Sequence, residues 1–87
     1  MTVAEMLALL RRQGVPEEFY VTGGRLGNGE ALGIEQDGPR WRLYYSERGG
    51  KSPLAIHGSE DAAVRDMLAR LDVMLHEAGL PRLILPG

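Results

Sequence analysis

Lys51 and Ser52 close the stretch GGKS, which matches the end of a phosphate-binding loop of the form G-x-x-x-x-G-K-[ST]. In such a loop the glycine backbone and the lysine hold phosphate oxygens where a strand passes into a helix. The first glycine of the pattern would fall at position 45, which is Tyr45, and Pro53 follows the serine directly. Because no helix start follows that could face a phosphate, the stretch is interpreted as a hairpin turn.

The other residues with chemical potential form no catalytic or metal-binding pattern. His57 and His76 are the only histidines and stand far apart, and the absence of cysteine excludes disulfides and thiolate metal ligands. A zinc site needs more ligands than these two histidines supply. No serine lies in a recognisable nucleophile motif, and Glu60 and Asp61 suit the start of a helix. We therefore predict no enzyme activity, no catalytic residue, no metal ligand and no cofactor.

A basic cluster interleaved with aromatic side chains is the most informative feature of the sequence. Its members are Arg40, Trp41, Arg42, Tyr44, Tyr45, Arg48 and Lys51. Aromatic stacking combined with charge along the backbone is how single-stranded nucleic acid is held. Arginine and tyrosine are also the residues enriched at protein interfaces. The cluster alone therefore allows both kinds of partner.

The overall composition favours a protein partner. A net charge of -2 gives no global attraction to nucleic acid or to an anionic membrane.

The 87 residues suit one domain, 1–87, and no apolar run approaches the roughly 20 residues that span a bilayer. In the N-terminal segment the basic residues follow the apolar ones and Glu5 lies among them, which is not typical of a signal peptide. A soluble, cytoplasmic protein is expected.

Two helices are predicted, one before the basic cluster in the sequence and one after it. Thr2 and Glu5 form a T-x-x-E capping box, and apolar residues at helical spacing follow until Gly14 ends the pattern. A second helix is predicted after Ser59, a good N-cap, with an apolar stripe that runs from Val64 to Ala78.

Between the helices the hydrophobic period changes, and glycine-rich breaks divide the chain into four short strands. They are predicted at Phe19–Thr22, Ala31–Gln36, Trp41–Glu47 and Leu54–His57. The short loops after the second and third strands favour antiparallel neighbours and hence a meander. The order α-β-β-β-β-α therefore predicts an α+β domain, in which a four-stranded, mainly antiparallel sheet has both helices packed on one face.

Two segments are left open. The Gly23–Gly29 loop is interpreted either as a flexible connection or as a loop that orders on a partner. The tail Arg82–Gly87 is either a fifth strand or a segment that lies against the core.

Alternation along the third strand decides which side chains are available to a partner. The side chains that point to one face are Trp41, Leu43 and Tyr45, and those that point to the other are Arg42, Tyr44 and Ser46. The first set is apolar enough to be the core beneath the helices. Arg42 and Tyr44 would then be exposed on the reverse face, provided that no second layer covers it.

The same segment and the helix after it carry a resemblance. The residues concerned are Trp41, Tyr44, Tyr45, Glu47, Arg48 and Gly49 in a first block, and Ser59, Glu60 and Ala63 in a second. They resemble the patterns W-x-V-Y-Y-x-E-R-G and F-x-[ST]-E-x-x-A of small immunity proteins encoded beside bacterial polymorphic toxins. The leucine-rich first helix followed by G-V-P is also similar, whereas Ile56 and His57 stand where an aromatic is usual.

The resemblance implies a protein that binds a cognate toxin and blocks it; toxins that degrade NAD are among those with such neighbours. We expect the mechanism to be coverage of the toxin's active-site cleft. The residues expected to contact the partner are Arg25, Asn28, Arg42, Tyr44, Glu47 and Arg48.

Three alternatives remain. Glu47 and Arg48 could instead pair with each other and merely hold the hairpin. The Arg40–Lys51 patch could serve a small nucleic-acid-associated regulatory domain. An edge strand could pair with a second copy and form a homodimer.

Overall fold

The computed structural model describes residues 1–85, which form two α-helices and a four-stranded sheet. The elements are α1 Val3–Arg12, a short 3-10 turn Glu17–Phe19, β1 Tyr20–Thr22, β2 Ala31–Asp37, β3 Arg40–Glu47, β4 Gly50–His57 and α2 Glu60–Glu77. The predicted α-β-β-β-β-α order and the α+β class are confirmed.

Both helices begin at the caps that the sequence marks. The hydroxyl of Thr2 accepts the N–H of Glu5, and the Glu5 carboxylate accepts the N–H of Thr2 at 2.8 Å. The Ser59 side chain caps α2 in the same manner. In addition, the carboxylate of Glu60 accepts the N–H of Val3 at 2.8 Å, so the first turn of α2 satisfies a free donor of α1.

The sheet is mixed because its first two strands run parallel. In β1 and β2, Tyr20 lies opposite Leu32 and Thr22 opposite Ile34, while β2–β3 and β3–β4 are antiparallel. The strands lie in the order β1-β2-β3-β4, and the predicted meander holds for the last three only. The connection after β1 is long enough to return along the strand, so residues 23–30 cross one face of the sheet instead of forming a hairpin.

Two-residue turns join the antiparallel strands. Gly38 has a φ of 60° in the β2–β3 turn, and Gly49 has a φ of 77° in the β3–β4 turn. Arg48 precedes Gly49 with a φ of 50°, and it is the only non-glycine residue among residues 1–85 with a positive φ. Two left-handed central residues are what a type I′ hairpin turn requires.

The main core lies between the helices and one face of the sheet. Its fully buried side chains include Met6 and Leu10 of α1, Ile34 and Leu43 of the sheet, and Val64, Met67, Leu71 and Leu75 of α2. Trp41 and Tyr45 pack partly buried against this cluster. The prediction that Trp41, Leu43 and Tyr45 face the helices is therefore confirmed.

The segment after α2 lies against the helices, and no strand forms among residues 78–85. The N–H of Leu83 donates to the Asp72 carboxylate at 2.8 Å, and its side chain packs against the core. The Gln13 amide exchanges two hydrogen bonds with the backbone of Ile84, at 2.6 and 2.9 Å. Of the two alternatives for the tail, the second is correct up to Leu85; the rest of the tail lies outside the described residues.

β4 forms one edge of the sheet, and its ladder is interrupted. Pro53 lies in this strand and has no N–H to donate, and the register shifts between Leu43 and Tyr44 of the neighbouring strand. Natural proteins use prolines and bulges to discourage strand addition at an edge. A homodimer through β4 would have to form across this irregularity; the other edge of the sheet is β1.

Candidate functional site

A loop covers the sheet face opposite the helices. Residues 23–30 cross this face and are anchored to β3 and β4 by three hydrogen bonds. These run from the Tyr44 hydroxyl to the Arg25 carbonyl (2.8 Å), from the Gly27 N–H to Ser46 Oγ (2.9 Å), and from Lys51 Nζ to the Gly24 carbonyl (3.1 Å). The glycine-rich loop is thus attached to the sheet in the free protein. Neither of the two interpretations offered for it, a flexible connection or a loop that orders on a partner, included such anchors.

The prediction that Tyr44 is exposed is wrong. Its side chain lies beneath the loop and is 1% exposed. A Cβ built on Gly33 of β2 would lie 2.1 Å from the Tyr44 ring, so the ring fills the space that any other residue at position 33 would need. Burial raises the pKa of the Tyr44 phenol, and the nearby Glu35 carboxylate adds to this effect. Tyr44 is part of a second, smaller core and is not available to a partner.

Arg42 lies on the reverse face as predicted, but its guanidinium is already paired. It lies 2.6 Å from Asp37 and 3.5 Å from Glu35. Lys51 lies 3.3 Å from Glu35, and its ammonium is 5.0 Å from the centre of the Tyr44 ring. The four charges form a chain of ion pairs of alternating sign, Asp37–Arg42–Glu35–Lys51, so Arg42 and Lys51 are each balanced by a carboxylate of β2.

This pairing reduces the basic cluster to two separate arginines. Arg40 opens β3 and Arg48 lies just beyond its end, which places them about 26 Å apart at roughly 3.3 Å per strand residue. Trp41 and Tyr45 face the helices, and Tyr44 is buried. The strand therefore offers nucleic acid no continuous basic track lined with stacking platforms.

Glu47 and Arg48 lie exposed at the tip of the β3–β4 hairpin. The structure places no ion pair between them, so the alternative in which they pair and hold the hairpin is wrong. The left-handed residues Arg48 and Gly49 form the turn, and this backbone geometry requires no ion pair to hold it.

The anchored loop presents Arg25, Leu26 and Asn28 to solvent. Two nitrogens of the Arg25 guanidinium donate to the carbonyl and hydroxyl of Thr22, at 3.0 and 2.9 Å, which holds the side chain along the loop. Leu26 is 45% exposed at the crest. No pattern in the sequence singles out Leu26; the only available signal is one large apolar residue among glycines and polar residues.

The loop and the hairpin tip lie side by side. Gly27 is bonded to Ser46 and Gly24 to Lys51, and these two sheet residues pair with each other next to the tip. We call the exposed residues Arg25, Leu26, Asn28, Glu47 and Arg48 the loop–hairpin surface. It contains four of the six residues predicted to contact a partner, together with Leu26.

A polar cluster braces β4 against α2 on the other side of the sheet. His57 Nε2 lies 2.8 Å from one oxygen of Asp66, and Arg70 donates to the other oxygen at 2.9 Å. Burial raises the pKa of Asp66, but hydrogen bonds from His57 and Arg70 outweigh this and hold it below its usual value. No group of three or more potential metal ligands occurs among residues 1–85.

We expect Asp66→Asn to lower the free energy of unfolding at pH 7 by about 1–2 kcal/mol, because charge-assisted hydrogen bonds are lost. The folded-state pKa of Asp66 is depressed, so this contribution is complete above the unfolded value of about 3.9 and is lost as the pH falls through the folded value. Urea unfolding between pH 7 and pH 2 should show the two proteins converging below about pH 4. A difference that stays constant over this range would contradict the assignment.

A scan against protein-family models finds no match to the chain, and searches among curated proteins and solved structures also find none. The comparisons therefore supply no relative from which a function could be transferred. Separately, no helix within residues 1–85 has both the length and the apolar character needed to cross a membrane.

Proposed function

We propose that this protein is an immunity protein: it binds a bacterial toxin domain encoded beside it and covers the toxin's active-site cleft. The observation that carries the proposal is the loop–hairpin surface, in which exposed side chains stand on a glycine-rich loop whose backbone is anchored to the sheet. Binding costs less conformational entropy when the contacting segment is already held in place. An anchored loop of this kind suits recognition better than it suits a simple connection.

The side chains of this surface fit a protein partner. Leu26 offers an apolar anchor, and Arg25, Asn28 and Arg48 offer hydrogen-bond donors around it. A typical interface buries about 800 Å² on each partner, which this domain could supply from its 5247 Å² of surface. Steric coverage of a cleft requires such a surface and no catalytic group.

The resemblance to toxin-associated immunity proteins adds support of a different kind. Within its first block, Trp41 and Tyr44 serve the two cores of the domain. Glu47, Arg48 and Gly49 form the exposed end of the hairpin. The motif therefore contains a part that builds the fold and a part that a partner could touch.

The test is co-expression with the polypeptide encoded by the adjacent gene, followed by size-exclusion chromatography and calorimetry. We expect a stoichiometric complex. Leu26→Asp should weaken it at least tenfold, since a charge would be buried at the apolar centre of the interface. Val73→Asp is the matched control: Val73 is 51% exposed on α2, which packs on the face of the sheet opposite the loop, and its replacement should leave affinity unchanged. Absence of a complex would refute the proposal.

A further inference from the structure

Arg48 occupies a backbone conformation that suits other residues better. It is the first central residue of the β3–β4 turn, with a φ of 50°. Glycine, asparagine and aspartate are preferred at this position of a type I′ turn, because a long side chain on a left-handed backbone is sterically disfavoured. The preference of the turn therefore does not explain the arginine.

Contacts within the fold do not explain it either. Arg48 is exposed, and no hydrogen bond or ion pair of its side chain is present among residues 1–85. Its neighbour Glu47, the one carboxylate in the turn, is not paired with it. Residues in unfavourable backbone conformations, with no contact in the fold that compensates for them, are found disproportionately at functional sites.

The turn also has a rigid support. The β3–β4 ladder continues to the pair Glu47–Gly50 at its very end. Directly below the tip, Ser46 and Lys51 are tied to the covering loop. The ammonium of Lys51 is directed at Glu35 and Gly24, which leaves Arg48 as the cation that projects from the tip.

We infer that Arg48 is the anchor residue of the interface and that it inserts into an acidic pocket of the partner protein. This inference rests on the proposed function and names the chemistry of the surface that is blocked. A guanidinium presents a planar fork of donors that matches a carboxylate in a bidentate manner. The partner must therefore present one or more Asp or Glu carboxylates in a cleft wide enough for a two-stranded hairpin tip.

The test compares Arg48→Asn with Arg40→Asn. Arg40 is the matched control, because it is also exposed, has no ion pair among residues 1–85, and lies at the opposite end of β3. Asparagine suits the left-handed position, so Arg48→Asn should raise the melting temperature by about 2–5 °C. The same variant should weaken binding to the product of the adjacent gene at least tenfold, whereas Arg40→Asn should leave affinity within twofold. Arg48→Lys should fall between wild type and Arg48→Asn, since it keeps the charge and loses the fork.

The outcomes separate this inference from the proposed function. If the wild type forms no complex, the proposed function fails. If the complex forms but Arg48→Asn binds with less than a tenfold loss, the function stands and the anchor role is overturned. A lower melting temperature for Arg48→Asn would also overturn it, because weaker binding would then follow from loss of fold.

Discussion

Replacing Tyr44 with alanine should lower the free energy of unfolding by about 3–5 kcal/mol, the usual effect of removing a buried aromatic ring. The ring is enclosed between Gly33 and the covering loop, and its hydroxyl holds the Arg25 carbonyl. Small domains have only about 5–15 kcal/mol of stability, so this single change should remove a large fraction of it. Urea denaturation followed by the fluorescence of Trp41, which packs against the main core, would measure it.

Tyr44→Phe is the control for this substitution. It keeps the ring and loses only the bond to Arg25, so its effect should be about 1 kcal/mol. A loss of less than 1 kcal/mol in Tyr44→Ala would mean that the ring is exposed after all. Because Tyr44→Ala acts on the fold, a binding defect in that variant would say nothing about the interface.

The second large effect is expected at Gly33. Any side chain there would place its Cβ within 2.1 Å of the Tyr44 ring, which is held by the loop above it. Gly33→Ala should therefore destabilise the domain by about 3 kcal/mol, at the upper end of what overpacking usually costs. Gly29→Ala is the matched control, since nothing lies within 4 Å of the added methyl group and its φ is not left-handed; it should be neutral or slightly stabilising.

The physical cause can be isolated with a double-mutant cycle. If the clash with the ring is responsible, Gly33→Ala should cost much less in a Tyr44→Ala background than in the wild type. Equal costs in the two backgrounds would show that backbone strain at position 33, and not the ring, limits this site.

Local signals were sufficient to predict most of the fold. Helix caps and turn glycines determine the backbone only over the next few residues, so their effects can be inferred without the tertiary structure. Examples are the capping box at Thr2 and Glu5, the N-cap Ser59 and the glycines of the turns. The parallel pairing of β1 with β2 could not be inferred this way. It depends on residues 23–30 crossing the sheet, and a polar, glycine-rich segment carries no periodicity that reports such a path.

The same loop explains what was missed at the site. Alternation along β3 assigns Tyr44 correctly to the face opposite the helices. Whether that face is exposed to solvent depends on the loop of residues 23–30, which is distant in the sequence. One local sign was present: Gly33 interrupts an apolar strand, and glycine within a strand often marks the close approach of another group. For Arg48 the sequence left two interpretations, a contact with a partner or an ion pair with Glu47. The structure contains no such ion pair, and the partner contact stays a prediction.

The way in which the loop is fastened has a consequence for how this protein could diversify. Each of the three anchors to β3 and β4 joins a side chain of the sheet to a main-chain atom of the loop, at Gly24, Arg25 and Gly27. The side chains of Leu26 and Asn28 take no part in these bonds, and Leu26→Asp should accordingly fold like the wild type. Under the proposed function, substitutions at Leu26 and Asn28 would therefore change the specificity for a partner without changing the scaffold that carries them.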